Sequence, residues 1–222
     1  MQWLLQQGKQ QKKAVNLVQS EQIILLSGGP GSGKTSTILQ MLLQALTKNP
    51  TLNIGMAAPT GKAAKKIKDT IQAGIEDFED PIKDTLSKIP SKTLHKWLEA
   101  GPNGFRRNSK RLLKLDLIIV DEMSMVDLST INGLLDSLPK SCQIILVGDP
   151  DQLLPIGSGG IWQIMHNKET KKYFQSNSVQ LTKSYRNKGD IALLRNALKD
   201  KGLNAFWRLL AMKKDSTNAS HH

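Results

Sequence analysis

Residues 28–35 read GGPGSGKT, which puts Gly28, Gly33, Lys34 and Thr35 at the fixed places of G-x-x-x-x-G-K-[ST]. The apolar run IILLS at 23–27 leads into this stretch, and the helical pattern STILQMLLQAL leaves it. A strand, a glycine loop and a helix in that order make a phosphate cradle. The glycines let successive backbone N–H groups turn inward, and the helix N-terminus adds its positive end. Gly29, Pro30, Gly31, Ser32 and Gly33 form the loop, and Lys34, Thr35 and Ser36 open the helix. Lys34 is expected on the β- and γ-phosphates of ATP, and the Thr35 hydroxyl on Mg²⁺. A glycine-rich turn carrying a chance lysine would not need the flanking strand and helix.

Working outward, four further apolar runs read as strands: 52–58 (LNIGMAA), 115–121 (LDLIIVD), 143–149 (QIILVGD) and 178–181 (SVQL). Helical stretches separate them, which predicts an α/β fold: a mostly parallel sheet with helices on both faces. In such sheets ligands bind beyond the carboxyl ends of the strands, where the glycine loop, Asp121 and Asp149 all fall. Asp121 suits Mg²⁺, and Glu122 suits a water to be polarised; the bland alternative is an acidic pair capping the next helix. In VGDPDQLLPIGSGG at 147–160, Gln152 can donate to a γ-phosphate, although a plain polar loop fits the spacing equally. APTGKAA at 58–64 ends a strand and opens a helix with Thr60 as N-cap and Lys62 in the first turn. That end is a seat for a nucleic-acid phosphate or simply an ordinary cap. In TLHKWL at 93–98, His95 has no companion at metal-ligand spacing, and Trp97 reads as core, as do Trp3, Trp162 and Trp207.

Composition narrows the partners. The 222 residues hold one large α/β domain, and 39% apolar residues can fill its core. A net charge of +12 with a pI near 9.8 favours polyanions, with nucleic acid first among them. The single cysteine, Cys142, precedes a strand and reads as a buried thiol of a cytoplasmic protein. The start, MQWLLQQGKQQKK, does not read as a signal peptide, and no run approaches the roughly 20 apolar residues of a membrane span. Residues 74–92 read as a connection with a short helix, 189–199 and 203–212 as helices, and His221 and His222 as a tag remnant.

In order, these stretches resemble the first motor domain of superfamily 1 helicases. They are most similar to the RecD-like branch, the family of the exodeoxyribonuclease V alpha subunit. GGPGSGKTST at 28–37 matches motif I, APTGKAA at 58–64 motif Ia, and TLHKWL at 93–98 motif Ib. VDEMSMVD at 120–127 matches motif II, VGDPDQLLPIGSGG at 147–160 motif III, and LTKSYRN at 181–187 motif IV. The likeness implies a RecA-like ATPase motor domain over residues 1–200 and a C-terminal helix and tail over 201–220. It implies that Gln11, with Gln10 beside it, reads adenine, that Gln152 senses the γ-phosphate, and that Arg186 is an arginine finger. Tyr185 would pack near the nucleotide. Pro59, Thr60, Lys62, Thr93 and His95 would lie along the nucleic acid.

RecD-like enzymes also insert a small β-hairpin pin between motifs Ib and II. The interval 100–111, AGPNGFRRNSKR, would supply Phe105 as a wedge and Arg106 and Arg107 as phosphate contacts. The activity implied is 5′–3′ movement on single-stranded DNA driven by ATP and Mg²⁺, in recombinational repair and with RecB- and RecC-like subunits as partners. A complete member carries a second RecA-like domain with motifs V and VI, and this sequence stops before either. Alone, these 222 residues are therefore expected to bind ATP weakly, turn over slowly and unwind nothing. The competing readings are a nucleotide-dependent scaffold subunit and a small-molecule kinase. The kinase explains neither 147–160 nor 181–187.

Overall fold

A computed structural model of the chain describes residues 8–76, 80–152 and 160–183. In chain order its elements are α1 (Lys9–Leu17), β1 (Ile23–Gly28), α2 (Lys34–Lys48), β2 (Ile54–Ala58), α3 (Gly61–Gly74) and α4 (Asp80–Lys88). Then come β3 (Ser91–Thr93), α5 (Leu94–Trp97), β4 (Ala100–Gly101), β5 (Gly104–Phe105) and β6 (Leu117–Val120). The last are α6 (Leu128–Ser137), β7 (Gln143–Gly148), α7 (Ile161–His166) and β8 (Ser178–Leu181). Six strands form one sheet in the order β3-β2-β6-β7-β1-β8, and every pairing in it is parallel. The expected α/β fold is present, with all five strands read from the sequence. The chain divides into a unit ending at Thr182 and a second unit from Lys183 onward.

Alternate strand residues feed two separate cores, as the period of two requires. Ile24, Leu26, Met56, Leu117, Ile119, Ile145 and Val147 join residues of α1, α2, α3 and α4 on one face. Leu25, Ala57, Ile118, Val120, Ile144 and Leu146 join residues of α5, α6 and α7 on the other. A sheet covered on both sides explains why its strands read as continuous apolar runs. Strand β3 escaped the sequence reading because Ser91, Lys92 and Thr93 are polar and half-buried or exposed at the sheet edge, where no apolar pattern is needed. Trp97 and Trp162 are buried as expected, and the Trp97 indole N–H donates to the Met56 carbonyl at 2.8 Å. Trp3, Trp207 and the two helices expected within 189–212 lie outside the described residues.

The hairpin of β4 and β5 pairs Ala100 with Phe105 and Gly101 with Gly104. It is stapled down rather than free. The Arg107 guanidinium contacts Glu99 at 2.6 Å and Arg111 contacts it at 3.1 Å, while Arg107 also donates to the Leu112 carbonyl at 3.1 Å. Phe105 packs against Gly133 of α6, where even a Cβ would sit 2.5 Å from its ring, and meets His95 edge-on at 6.1 Å. The wedge reading of Phe105 is thus corrected: its ring is an anchor onto α6, and the hairpin turn is Pro102–Asn103. Arg107 likewise spends its charge on Glu99, leaving Arg106 as the exposed arginine of that pair.

Among the described residues no helix is long and apolar enough to cross a membrane. Cys142 is buried, and burial pushes its thiol up to about 12. We expect no reaction with a disulfide reagent at pH 8 until the protein unfolds, followed by absorbance; labelling at the rate of a free thiol would contradict this burial.

Helix α6 is capped by Asp127, whose carboxylate accepts from the Thr130 N–H at 2.7 Å, a bond that lowers its pKa. Its contribution is present above the ordinary carboxylate range and is lost as the pH falls through the lowered value. Asp127→Ala should cost about 1 kcal/mol in urea unfolding near neutral pH, and less in acid.

Candidate nucleotide site

The glycine loop takes the shape its sequence demands. Gly31 and Gly33 have φ of +73° and +87°, left-handed values that side-chain-bearing residues rarely adopt. Gly33 is also the N-cap of α2, so the loop delivers the chain directly onto a helix N-terminus. Thr37 donates to the Gly33 carbonyl at 2.8 Å and Ser36 to the same oxygen at 2.9 Å, which fixes the first turn. The Ser32 hydroxyl is buried with no hydrogen-bond partner among the described residues. A buried polar atom without a partner is costly, and here it lies in a loop built to receive oxygens.

Lys34 closes the loop on itself. Its ammonium donates to the carbonyls of Gly28 at 2.6 Å and Gly29 at 3.3 Å. Burial lowers its pKa, opposed in turn by the negative charges of Asp149, Asp121 and Glu122, while Lys66 pushes it further down. Lys34 and Asp121 therefore sit within reach of each other's charge, at the ends of β1 and β6, with β7 between those strands. Asp121 follows β6, and its N–H continues the ladder onto the Ala57 carbonyl at 2.9 Å. Burial raises its pKa, although its carboxylate accepts the Glu122 N–H at 2.8 Å. A desolvated carboxylate beside a phosphate loop is the hard oxygen donor a Mg²⁺ takes, and Thr35 opens α2 beside it.

Glu122 has φ +56° and ψ 42°, a left-handed conformation that costs a non-glycine residue about 1–2 kcal/mol. Such an outlier at a strand end marks a side chain whose direction matters more than local comfort. Glu122 stands at the N-cap position of a 3₁₀ turn, Met123–Met125, without a side-chain capping bond, and α6 is capped by Asp127, so neither is capped by the side chains of the acidic pair. Asp149, read in the sequence only as a strand-tip residue, and two residues missed there, Ser124 and Lys66, complete the arrangement. Asp149, buried at the end of β7, is the foremost negative charge acting on Lys34. Ser124 donates its hydroxyl to the Gln152 side-chain oxygen at 2.8 Å, tying the two acidic-strand loops together. Lys66, on α3, sends its charge to both Lys34 and Asp121. No local pattern marks Ser124 or Lys66; only the fold brings them here.

On the same end of the sheet, Thr60 caps α3 through the Ala63 N–H at 3.2 Å, and Thr93 caps α5 through the Lys96 N–H at 3.2 Å. Pro59 and Lys62 flank the first cap, Lys62 being exposed. His95 is exposed and meets the Phe105 ring edge-on at 6.1 Å. Gln11 is buried, donates to Thr37 at 3.4 Å and accepts from the Gly8 N–H at 3.0 Å. Tyr185, Arg186 and 153–159 of the motif III stretch lie outside the described residues.

With that geometry in place, comparison with known proteins assigns the chain. The profile of a family described as an AAA domain matches residues 11–158. The RecBCD enzyme subunit RecD of Mycolicibacterium smegmatis is 35% identical over 161 residues, 69% of this chain and 29% of that protein. The chain belongs to the RecD-like superfamily 1 helicases and carries their first motor domain. The ATP-dependent RecD2 DNA helicase of Deinococcus radiodurans is 32% identical over 152 residues, 68% of this chain and 19% of that protein. A Bacteroides Pif1 bound to single-stranded DNA shares the fold, with a TM-score of 0.55 at 23% identity over 92% of this chain and 49% of that one. The RecD-like domain thus spans under a third of these two curated relatives.

This RecD-like domain is a nucleotide-binding module, and its cradle reading expects the Lys34 ammonium to exchange loop carbonyls for phosphate oxygens. Hydrogen bonds to charged groups are worth about 1.5–3 kcal/mol, so Lys34→Ala should weaken nucleotide affinity at least ten- to a hundredfold. Titration with a fluorescent ATP analogue measures it, and an unchanged affinity would count against the cradle.

Proposed function

We propose that this domain is the ATP-hydrolysing half-motor of a helicase that moves 5′–3′ along single-stranded DNA in recombinational repair. The observation that carries the reading is the gathering of Lys34, Asp121, Glu122 and Asp149 at adjacent strand ends, with Gln152 tied to Ser124 beside them. Lys34 and the loop N–H groups hold the β- and γ-phosphates of ATP. Thr35 and Asp121 hold Mg²⁺, which when bound neutralises charge between those phosphates. Glu122 orients and polarises the attacking water, held toward it by its left-handed backbone.

Gln152 answers to the γ-phosphate from one end and to Ser124 from the other. Its side-chain oxygen is committed to the Ser124 hydroxyl, while its amide nitrogen makes no hydrogen bond among the described residues. Loss of the terminal phosphate would therefore be felt in the loops after both β6 and β7. Arg186 is assigned as the finger that stabilises charge developing at the γ-phosphate, an effect of about 10³–10⁵ in rate. Single-stranded DNA runs over the capped starts of α3 and α5, where Pro59, Thr60, Lys62 and Thr93 meet phosphates through helix N-termini and one exposed ammonium.

A second RecA-like domain closes the cleft in this reading, and RecB- and RecC-like subunits are its partners, as the name of the RecD relatives suggests. Binding to a single-stranded oligonucleotide should then weaken steeply with salt. Each phosphate contact contributes a slope of about −0.7 in log K against log salt. Fluorescence anisotropy between low and physiological salt tests this, and a flat response would overturn the nucleic-acid assignment.

A further inference from the structure

Strand β7 ends on a glycine whose missing side chain is replaced by a tryptophan from elsewhere in the fold. Gly148 pairs with Ser27, the residue directly before the phosphate-loop motif, and buried Asp149 follows it. A Cβ added at Gly148 would lie 2.7 Å from Cε2 and 2.8 Å from Nε1 of Trp162, closer than real side chains stand. Residue 148 faces the same side of the sheet as Ile144 and Leu146, where Trp162 is fully buried among the residues of that core. His166, one turn further along α7, stands behind the indole. The two ring centroids are 4.4 Å apart, and the His166 Nδ1–H donates to the Trp162 carbonyl at 2.8 Å.

Tryptophan is a costly choice at this place. Its indole N–H is buried with no hydrogen-bond partner among the described residues, and a phenylalanine or leucine would carry no such group. What the indole adds is reach: the atoms nearest Gly148 are Cε2, Nε1 and Cζ2, on the ring edge that bears the N–H. The corner it touches carries other groups with it. The Asp149 carboxylate accepts the Asp151 N–H at 3.0 Å, and the Asp149 carbonyl accepts the Gln152 N–H at 3.3 Å. α7 also packs on the turn Met123–Met125, whose Ser124 bonds the Gln152 side chain.

We propose that Trp162 is a positioning residue of the nucleotide cradle: its indole takes the place of a side chain at Gly148 and so sets where the Gly148–Asp149 corner stands beside the phosphate loop. Trp162 touches no phosphate in this arrangement and acts only through the corner. The inference rests on the reading of that loop as the ATP site, and the test separates the two.

Affinity for a fluorescent ATP analogue with Mg²⁺ and melting temperature are measured together on the whole chain. Gly148→Ala overpacks the contact and should weaken the analogue about tenfold or more, the scale of losing one charge-assisted hydrogen bond. Trp162→Phe withdraws the ring edge and should weaken it about threefold to tenfold. In the double variant the new methyl enters the space the indole gave up, so affinity should return to within about threefold of the wild type.

A tryptophan that merely fills the core would lower the melting temperatures and leave the affinity of the folded variants unchanged, and that result overturns the proposal. A double variant that binds no more tightly than Gly148→Ala also overturns it. If Gly148→Ala does not fold, Trp162→Phe decides: weaker binding supports the positioning role, and wild-type affinity overturns it. Lys34→Ala is the control for the cradle. If it binds the analogue as tightly as the wild type, the ATP site itself is overturned; lost binding there with wild-type affinity in Gly148→Ala overturns the role of Trp162 alone.

Discussion

The structure depends on one charge held where few charges are comfortable. Lys34 is desolvated at the start of α2, and burial works against its protonated form. Two carbonyls of its own loop and the fields of Asp149, Asp121 and Glu122 keep the cation there. A buried ammonium is retained only with partners, so its position dictates what stands around it. The carboxylates must end strands β6 and β7, on one side of β1. The sheet order β3-β2-β6-β7-β1-β8 delivers this, because the chain passes from β1 to β2 and fills the gap between them only later. Residues nearly 90 and 115 positions from Lys34 are thereby brought to it.

The same constraint explains where rigidity is placed. Ser36 and Thr37 lock the first turn of α2 onto Gly33, and Gln11 locks Thr37 from outside. Ser124 and Gln152 link the loops that follow β6 and β7. Each of these contacts is one hydrogen bond, worth about 1 kcal/mol net. Their value lies in geometry: they fix the loop, the first turn of α2 and the ends of β6 and β7 relative to one another. α1 adds a second layer by spanning from the loop helix to β8, where Gln10 and Lys13 bond the backbone at Thr182 and Ser178.

The five strands, the phosphate loop and the acidic strand end were readable in the sequence because each is local: an apolar run, a glycine spacing, a carboxylate at the run's end. The Thr60 cap was readable for the same reason. What escaped depends on long-range placement. β3 carries no apolar pattern, since a sheet edge requires none. Asp149 was seen at a strand tip, but its burial against Lys34 follows only from the pairing of β7 with β1. Lys66 lies on an exposed helix face that looks merely solvated until α3 is packed beside β2. Phe105 read as a wedge because the family resemblance implies a pin in this interval; the decisive feature is a missing side chain on another helix, at Gly133.

That last point bears on what the hairpin can do. A wedge that parts bases must present an apolar group to the duplex and hold it against a load. Here the apolar group is spent inward: Phe105 fills the space left by Gly133, and His95 borders it. Glu99, itself at φ +51°, receives Arg107 and Arg111 from the far side, and the Leu98 carbonyl accepts the N–H groups of both Arg106 and Arg107 at 3.2 Å. A segment held at its base by two ion pairs, a shared carbonyl and a seated ring is stiff but short, with only Pro102 and Asn103 at its turn. Such a structure can exclude or deflect a strand by its bulk and by Arg106. It cannot intercalate without lifting Phe105 off α6, which would leave a cavity above Gly133 and an unpaired surface on His95. The stiffness comes from the base: two ion pairs, a shared carbonyl and a ring seated on α6 hold the hairpin to the sheet's helical layer.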